Sequence, residues 1–216
     1  MLTGEKYLNL KIEATNDNKL YVKGKVKEYI KNFPYELYKE LKEFSEIFTF
    51  YLKTFVKKPS KQEIIEHYKI HHFLVYNYTN LIDNAINGSI CHIHGNIKKN
   101  NIVFGVDSQY KNLERFDIFS KRIQRVMNKT NIPNSILNEK SSRIIIIGHS
   151  LDEADDDSLK LFLNNSNNYQ AIDVYYYPKD PFATASLSKN LIRILGADKF
   201  DKLYNLNILN FLPLDD

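Results

Sequence analysis

Apolar and polar positions alternate along residues 7–26 on either side of the turn-forming tetrad Thr15-Asn16-Asp17-Asn18. A period of two broken by such a tetrad predicts a hairpin or two short strands. From Pro34 the period lengthens. Leu37, Leu41, Phe44, Phe48, Tyr51, Leu52 and Phe55 recur at three- and four-residue steps with Lys and Glu between them. An amphipathic helix with an aromatic buried face is therefore expected to run to about Lys57. Ser60-Lys61-Gln62-Glu63 fits a capping box and opens a short second helix carrying Ile64, Ile65 and Tyr68.

Beyond it, short apolar runs alternate with helical patterns. Strands are expected at 73–76, 89–93, 102–104, 143–147, 171–177 and 208–212, and helices near 80–86, 117–128, 155–163, 185–195 and 197–203. The four isoleucines at 144–147 read as a central strand covered on both faces. The acidic start of the helix at 155 suits the helix dipole. Strand-helix-strand repetition with short links predicts an α/β fold, a mainly parallel sheet with helices on both faces, preceded by a helical segment. The organisation expected is a hairpin plus aromatic helix over 1–60 and an α/β domain over 61–216, with a soft break near Ser60 and no internal repeat.

Composition narrows the function classes. A chain of 216 residues, 43% hydrophobic and 13% aromatic, supports one good core and is not that of a disordered protein. The net charge of +4 is modest, and lysines alternate with Glu and Asn. That pattern describes a solvated surface better than a nucleic-acid patch. Cys91 is the one cysteine, which excludes an internal disulfide and a cysteine-based metal site. With no basic-apolar-small pattern at the N-terminus, a cytoplasmic location is expected. No apolar run approaches the ~20 residues of a bilayer span, so no membrane association is expected.

Three polar segments each follow an expected strand: Asn77-Tyr78-Thr79-Asn80, His92-Ile93-His94-Gly95, and Gly148-His149-Ser150-Leu151-Asp152 with Asp155 beyond it. Parallel sheets bind ligands beyond the carboxyl ends of their strands, so segments far apart in sequence converge there. His92 and His94, two apart on a strand, point to one face, as a functional pair or as half-buried sheet residues. A metal site would draw on His92, His94, Asp107, His149 and Asp152, but zinc and iron spacing signatures are absent and this reading ranks lower. Gly148-His149-Ser150 begins like a hydrolase nucleophile elbow. Asp152 stands where its second glycine belongs and no histidine follows His149, so a serine hydrolase is not expected. Ser150 instead reads as bonding backbone or ligand at the turn. Asp152 and Asp155 equally suit helix capping, Asp156 and Asp157 a solvated first turn, and Asn77 a turn tie. Tyr78 reads as core, His67, His71 and His72 as surface or packing residues, and the aromatic stripe over 37–55 as core or partner interface.

Taken in order, Phe73-Leu74-Val75-Tyr76-Asn77-Tyr78-Thr79-Asn80, His92-Ile93-His94-Gly95, Ile102-Val103-Phe104-Gly105-Val106-Asp107 and Ile146-Ile147-Gly148-His149-Ser150-Leu151-Asp152-Glu153-Ala154-Asp155 resemble the motif set of the AbiH phage abortive-infection proteins. The resemblance covers the chain from about Pro34 to its end. It implies a C-terminal portion of such a protein, because the family usually opens with a strand and a Gly-Asn-Gly-Phe-Asp-like phosphate turn. Here Gly4 and Gly24 follow no apolar strand and open no helix.

The same order is similar to the sirtuin-like, Rossmann-type NAD-binding domains of other bacterial defence proteins. That similarity implies NAD as substrate and NAD glycohydrolase-like cleavage. Asn77 would position the ribose or an attacking water and His94 would act as general base. Thr79, Gly95, Gly148, His149, Ser150, Asp152 and Asp155 would line the nucleotide, with Thr79 standing where an acidic residue is common. The implied partners are a phage component as trigger and either a second copy or a separately encoded N-terminal half. Two alternatives stand beside this reading: a non-catalytic sensor or partner-binding module, and a metal-dependent nuclease built on the His and Asp residues.

Overall fold

In the computed structural model the expected hairpin forms from β1 (Ile12–Ala14) and β2 (Leu20–Val22), antiparallel with Ile12 opposite Val22. The structure describes residues 12–14, 20–22, 26–56, 70–80, 83, 88–105, 114–138, 142–165 and 169–214. Helix α1 (Val26–Phe55) starts eight residues before the expected Pro34, which lies inside it. The reason is that Val26, Tyr29, Ile30 and Phe33 carry the helical apolar rhythm backward across the proline. A single proline removes only one helical hydrogen bond, although it strains the turn before it. The chain divides into two compact units, 1–47 and 48–216, and the division falls within α1. The short helix expected from Ser60 lies outside the described residues, as does most of the one expected over 80–86.

The second unit is α/β, with its strands parallel. β3 (His72–Val75) pairs with β4 (Ser89–His92), placing Val75 opposite His92. A separate ladder has the order β5-β6-β7, formed by β5 (Ser142–Ile147), β6 (Tyr169–Tyr176) and β7 (Leu209–Pro213). The connecting helices are α2 (Lys121–Asn128), the single turn α3 (Asn134–Leu137), α4 (Asp156–Asn165), α5 (Ala183–Leu195) and α6 (Ala197–Asn205). Gly196, with φ of 86°, separates α5 from α6. The helix expected over 117–128 begins only at Lys121, after a tighter turn over Glu114–Phe119 and an extended Ser120.

Among the described residues the isoleucine strand β5 is an edge and β6 is the central strand, contrary to expectation. β-Branched runs fit any pleated surface and say nothing about how many neighbours a strand has. Burial follows the topology. Ile172, Asp173 and Val174 in β6 are all but inaccessible, whereas Ile147 in β5 is 38% exposed. The main core gathers Ile144, Leu151, Leu163, Ile172, Leu191 and Leu209, and a smaller one gathers Cys91, Ile93, Ile132 and Ile136. Tyr76 and Phe162 pack against both. Each fully buried aliphatic of this kind contributes about 1.5–3 kcal/mol.

Residues 102–104 are not a strand. Their backbone groups are satisfied by side chains of α2 and not by a ladder. Gln124, 2% exposed, accepts from the Phe104 N–H at 3.1 Å and donates to the Phe104 carbonyl. Asn128 donates to the Ile102 carbonyl at 3.2 Å, and the Val103 N–H reaches the His94 carbonyl at 2.8 Å. α2 consequently turns its polar residues inward, leaving Val126 74% and Met127 50% exposed. Replacing Gln124 with Ala strands a donor and an acceptor. Urea unfolding of Gln124→Ala should show a loss of roughly 2 kcal/mol or more with unchanged slope. A midpoint equal to the parent's would mean that water serves Phe104 equally well.

Candidate functional site

β4 ends at His92, and the chain turns through Ile93 and His94 to Gly95. Gly95 has φ of 70°, and a Cβ there would sit 1.9 Å from the Asn101 carbonyl oxygen, so only glycine fits. Because His94 lies past the strand, the two histidines do not act as a same-face pair. His92 Nε2 meets Asp83 Oδ1 at 3.0 Å, with the Asn80 amide at 3.4 Å. His94 Nε2 meets Asp155 Oδ1 at 2.8 Å.

The second arm begins at the end of β5. Gly148, φ 63°, reverses the chain, and Leu151 takes φ of 56° with its side chain fully buried. A left-handed leucine costs about 1–2 kcal/mol, which its burial, two hydrogen bonds of its own and one of Ser150 offset. The Leu151 N–H donates to His149 Nδ1 at 2.8 Å, Arg193 donates to the Leu151 carbonyl at 2.7 Å, and Asn190 donates to the Ser150 carbonyl at 2.9 Å. Arg193 is held in turn by Asp156, which is 2% exposed and also bonds Lys160 at 2.8 Å. Asp156 is therefore a buried ion-pair partner and not the solvated first-turn carboxylate expected. Asp157 is paired as well, with Arg122 at 2.7 Å.

The two arms meet at Asp155. Its Oδ1 receives His94 Nε2 and Lys121 Nζ, the latter at 2.7 Å, and its Oδ2 faces His149 Nε2 at 3.4 Å. Tyr76, just past β3, sets its ring edge-on against both imidazoles, with centroids 5.4 Å from His94 and 4.4 Å from His149. Its hydroxyl donates to Ser158 at 3.3 Å, and burial pushes its pKa up to about 12. Tyr78 completes the wall. It lies 6.2 Å from the His94 ring and joins Phe48 and Phe104 in an aromatic cluster.

His94 Nε2 lies 2.8 Å from Asp155 Oδ1, yet both nitrogens of the ring are buried without a partner in hydrogen-bonding geometry. His149 Nδ1 accepts from the Leu151 N–H, which leaves Nε2 as the protonated nitrogen of its neutral ring. Burial drives the His94 pKa below its usual range, the Asp155 contact opposes this, and the charges of Lys121 and Arg125 reinforce it. For Asp155, burial alone would raise the pKa. The bonds from His149, His94 and Lys121 outweigh it and hold the carboxyl well below the ordinary carboxylate range.

Of the residues anticipated from sequence, the structure thus gathers His94, His149 and Asp155, with Gly95 and Gly148 shaping the turns beside them. Asn77 and Ser150 are exposed, and Thr79 is half-buried. Asp152 caps the short turn Glu153–Asp155 by accepting from the Glu153 N–H at 2.7 Å. Tyr76, Lys121, Asn190 and Arg193 were not anticipated. None sits in a recognisable motif, and Lys121 is buried where helix periodicity leads one to expect solvent. Among the described residues no three His, Cys, Asp or Glu side chains are arranged to hold a metal ion. The two Nε2 atoms that would ligate one are turned to Asp155, and Asp107 lies outside the described residues.

Fold and site together define an α/β protein whose strand ends carry a partly buried, carboxylate-centred histidine pair. The family model for bacteriophage abortive infection AbiH matches residues 3–177. The chain belongs to that family, and so to proteins of abortive phage infection. No curated protein and no solved structure gives a significant match. No helix among the described residues is long and apolar enough to cross a membrane.

Acid should undo this site in two stages. The unfolded chain protonates histidine below about pH 6.5, where folded His94 resists it, so folding loses stability as pH falls from there. Asp155 stabilises the fold above its unfolded pKa of about 3.9 and loses that contribution as pH falls further. Urea midpoints measured against pH should therefore drop from near 6.5 downward, and His94→Gln should remove part of that first drop. A variant curve parallel to the parent's through this range would rule out His94 as its source.

Proposed function

We propose that this protein acts in phage defence by hydrolysing the N-glycosidic bond of NAD or a closely related nucleotide at the His94–Asp155 site. The observation that carries the reading is the His94 imidazole itself. Burial favours its neutral form, Asp155 Oδ1 stands 2.8 Å from Nε2, and Nδ1 is buried without a hydrogen-bond partner. A positioned neutral imidazole is a general base, and such groups supply about 10²–10⁴-fold in rate. In the proposed step a water attacks C1′ of the nicotinamide ribose and His94 Nδ1 takes its proton. The C1′–N bond breaks with its electron pair going to the pyridinium, giving ADP-ribose, neutral nicotinamide and one proton. Asn77 positions the ribose or the water. Thr79, Gly95, Gly148, His149, Ser150 and Asp152 line the nucleotide, and Asp155 orients the base.

A second reading, a non-catalytic sensor or partner-binding module, draws support from the outward apolar residues Ile123, Val126 and Met127 of α2, 40%, 74% and 50% exposed. One experiment separates the two. The purified chain is incubated with NAD, with and without phage lysate, and nicotinamide release is followed beside His94→Ala. The expected outcome is release in at least one condition, reduced at least a hundredfold in the variant, with the rate falling as pH drops through the depressed His94 pKa. Absence of release in both conditions would overturn the hydrolase reading. A stable complex with a lysate component would then favour the module.

A further inference from the structure

We propose that Lys121 helps to keep His94 in the neutral state, by pairing with the carboxylate that stands against it. This inference rests on the reading of His94 as a base, but its physical content is testable without any reaction. His94 Nε2 and Lys121 Nζ approach the same oxygen, Asp155 Oδ1, at 2.8 and 2.7 Å, and Lys121 donates a hydrogen bond to it. Lys121 is 8% exposed, and Asp155's side chain is 15% exposed. A buried carboxylate facing an imidazole on its own would draw a second proton onto the ring, because the imidazolium–carboxylate pair is favoured over the neutral pair. An ammonium on the same oxygen weakens that attraction and leaves the carboxylate in contact with the ring.

The other groups around His94 do not replace Lys121. From the end of β3, Tyr76 and Tyr78 present aromatic rings, and burial keeps the Tyr76 hydroxyl protonated to about pH 12. From the end of β5, His149 is committed to Leu151 through one nitrogen and to Asp155 through the other. Arg125, one turn along α2 from Lys121, adds positive charge in the same sense, but it forms no ion pair with Asp155 among the described contacts. Lys121 is a positioning residue here, acting on the base through Asp155.

The test is a titration of the histidine Cε1–H resonances by NMR, with His94 assigned from the His94→Gln spectrum. In the parent, His94 titrates below the ordinary histidine value. In Lys121→Met its midpoint should rise by about one unit or more, the usual effect of an uncompensated neighbouring charge, and Lys121→Arg should restore it. Lys121→Gln, which still hydrogen-bonds Asp155 without charge, should raise the midpoint likewise and serves where the Met variant does not fold. A midpoint unchanged in both uncharged variants would overturn the proposal, as would a failure of Arg to restore it. Where nicotinamide release is measurable, its acid limb should move up by the same amount in Lys121→Met. Parent protein that releases none removes the hydrolase reading, and the titration then decides the role of Lys121 by itself.

Discussion

Asp155 faces three groups that the sequence keeps far apart, His94 beyond β4, His149 beyond β5 and Lys121 at the start of α2, and accepts a hydrogen bond from the last. A buried carboxylate is tolerable only when its charge is matched and its lone pairs are used. Removing any one donor therefore leaves the others holding an imperfectly compensated charge. The carboxylate ties the end of the β3–β4 ladder to that of the β5-β6-β7 ladder, two sheets that share no strand pairing among the described residues. Tyr76 makes the matching apolar tie, packing on both cores and edge-on against both histidines.

Behind that node, the rest of the second unit holds the donors at the right reach. Asp156 and Arg193 form an ion pair next to the node in sequence and space, and Arg193 commits its second amino group to Leu151. That bond and Asn190's grip on Ser150 hold the left-handed turn that presents His149. On the other side, Gln124 and Asn128 hold the 102–104 segment in an extended form without a ladder. α2 is thus fixed by side-chain amides, and its first residue, Lys121, reaches Asp155. The buried polar groups here are mutually dependent, the arrangement in which the loss of one is felt by all.

How much of this was legible in sequence follows from what kind of interaction each feature uses. Strands and helices from β5 onward were readable to within a residue or two, because β6, α5 and β7 bury regular apolar faces that impose a period. His94, His149 and Asp155 were readable as candidates because they follow strand ends. Their convergence rests on the topology that parallel strands share. The errors fall where side chains make bonds that periodicity does not encode. The 102–104 segment is apolar and extended, yet its hydrogen bonds come from Gln124 and Asn128. Helix α2 is inside-out, so its buried Lys121 read as surface. Asp156, one residue past Asp155, carries the same chemical label but answers to Arg193 and Lys160 instead of to solvent.

The two histidines that face one carboxylate also differ in how their ring nitrogens are engaged. His149 is the more exposed, with 16% of its side chain accessible against 4% for His94, and accessibility alone would nominate it. Its Nδ1, however, is already engaged by the Leu151 N–H, and its Nε2 is turned to Asp155. Taking up a proton there would break the bond that holds the Leu151 turn. His94 has the opposite balance: less accessible, with Nε2 against Asp155 and neither nitrogen in a hydrogen bond. Tyr78 stands beside the His94 ring and packs in turn against Phe104, so the less accessible histidine is also the one flanked by the aromatic cluster.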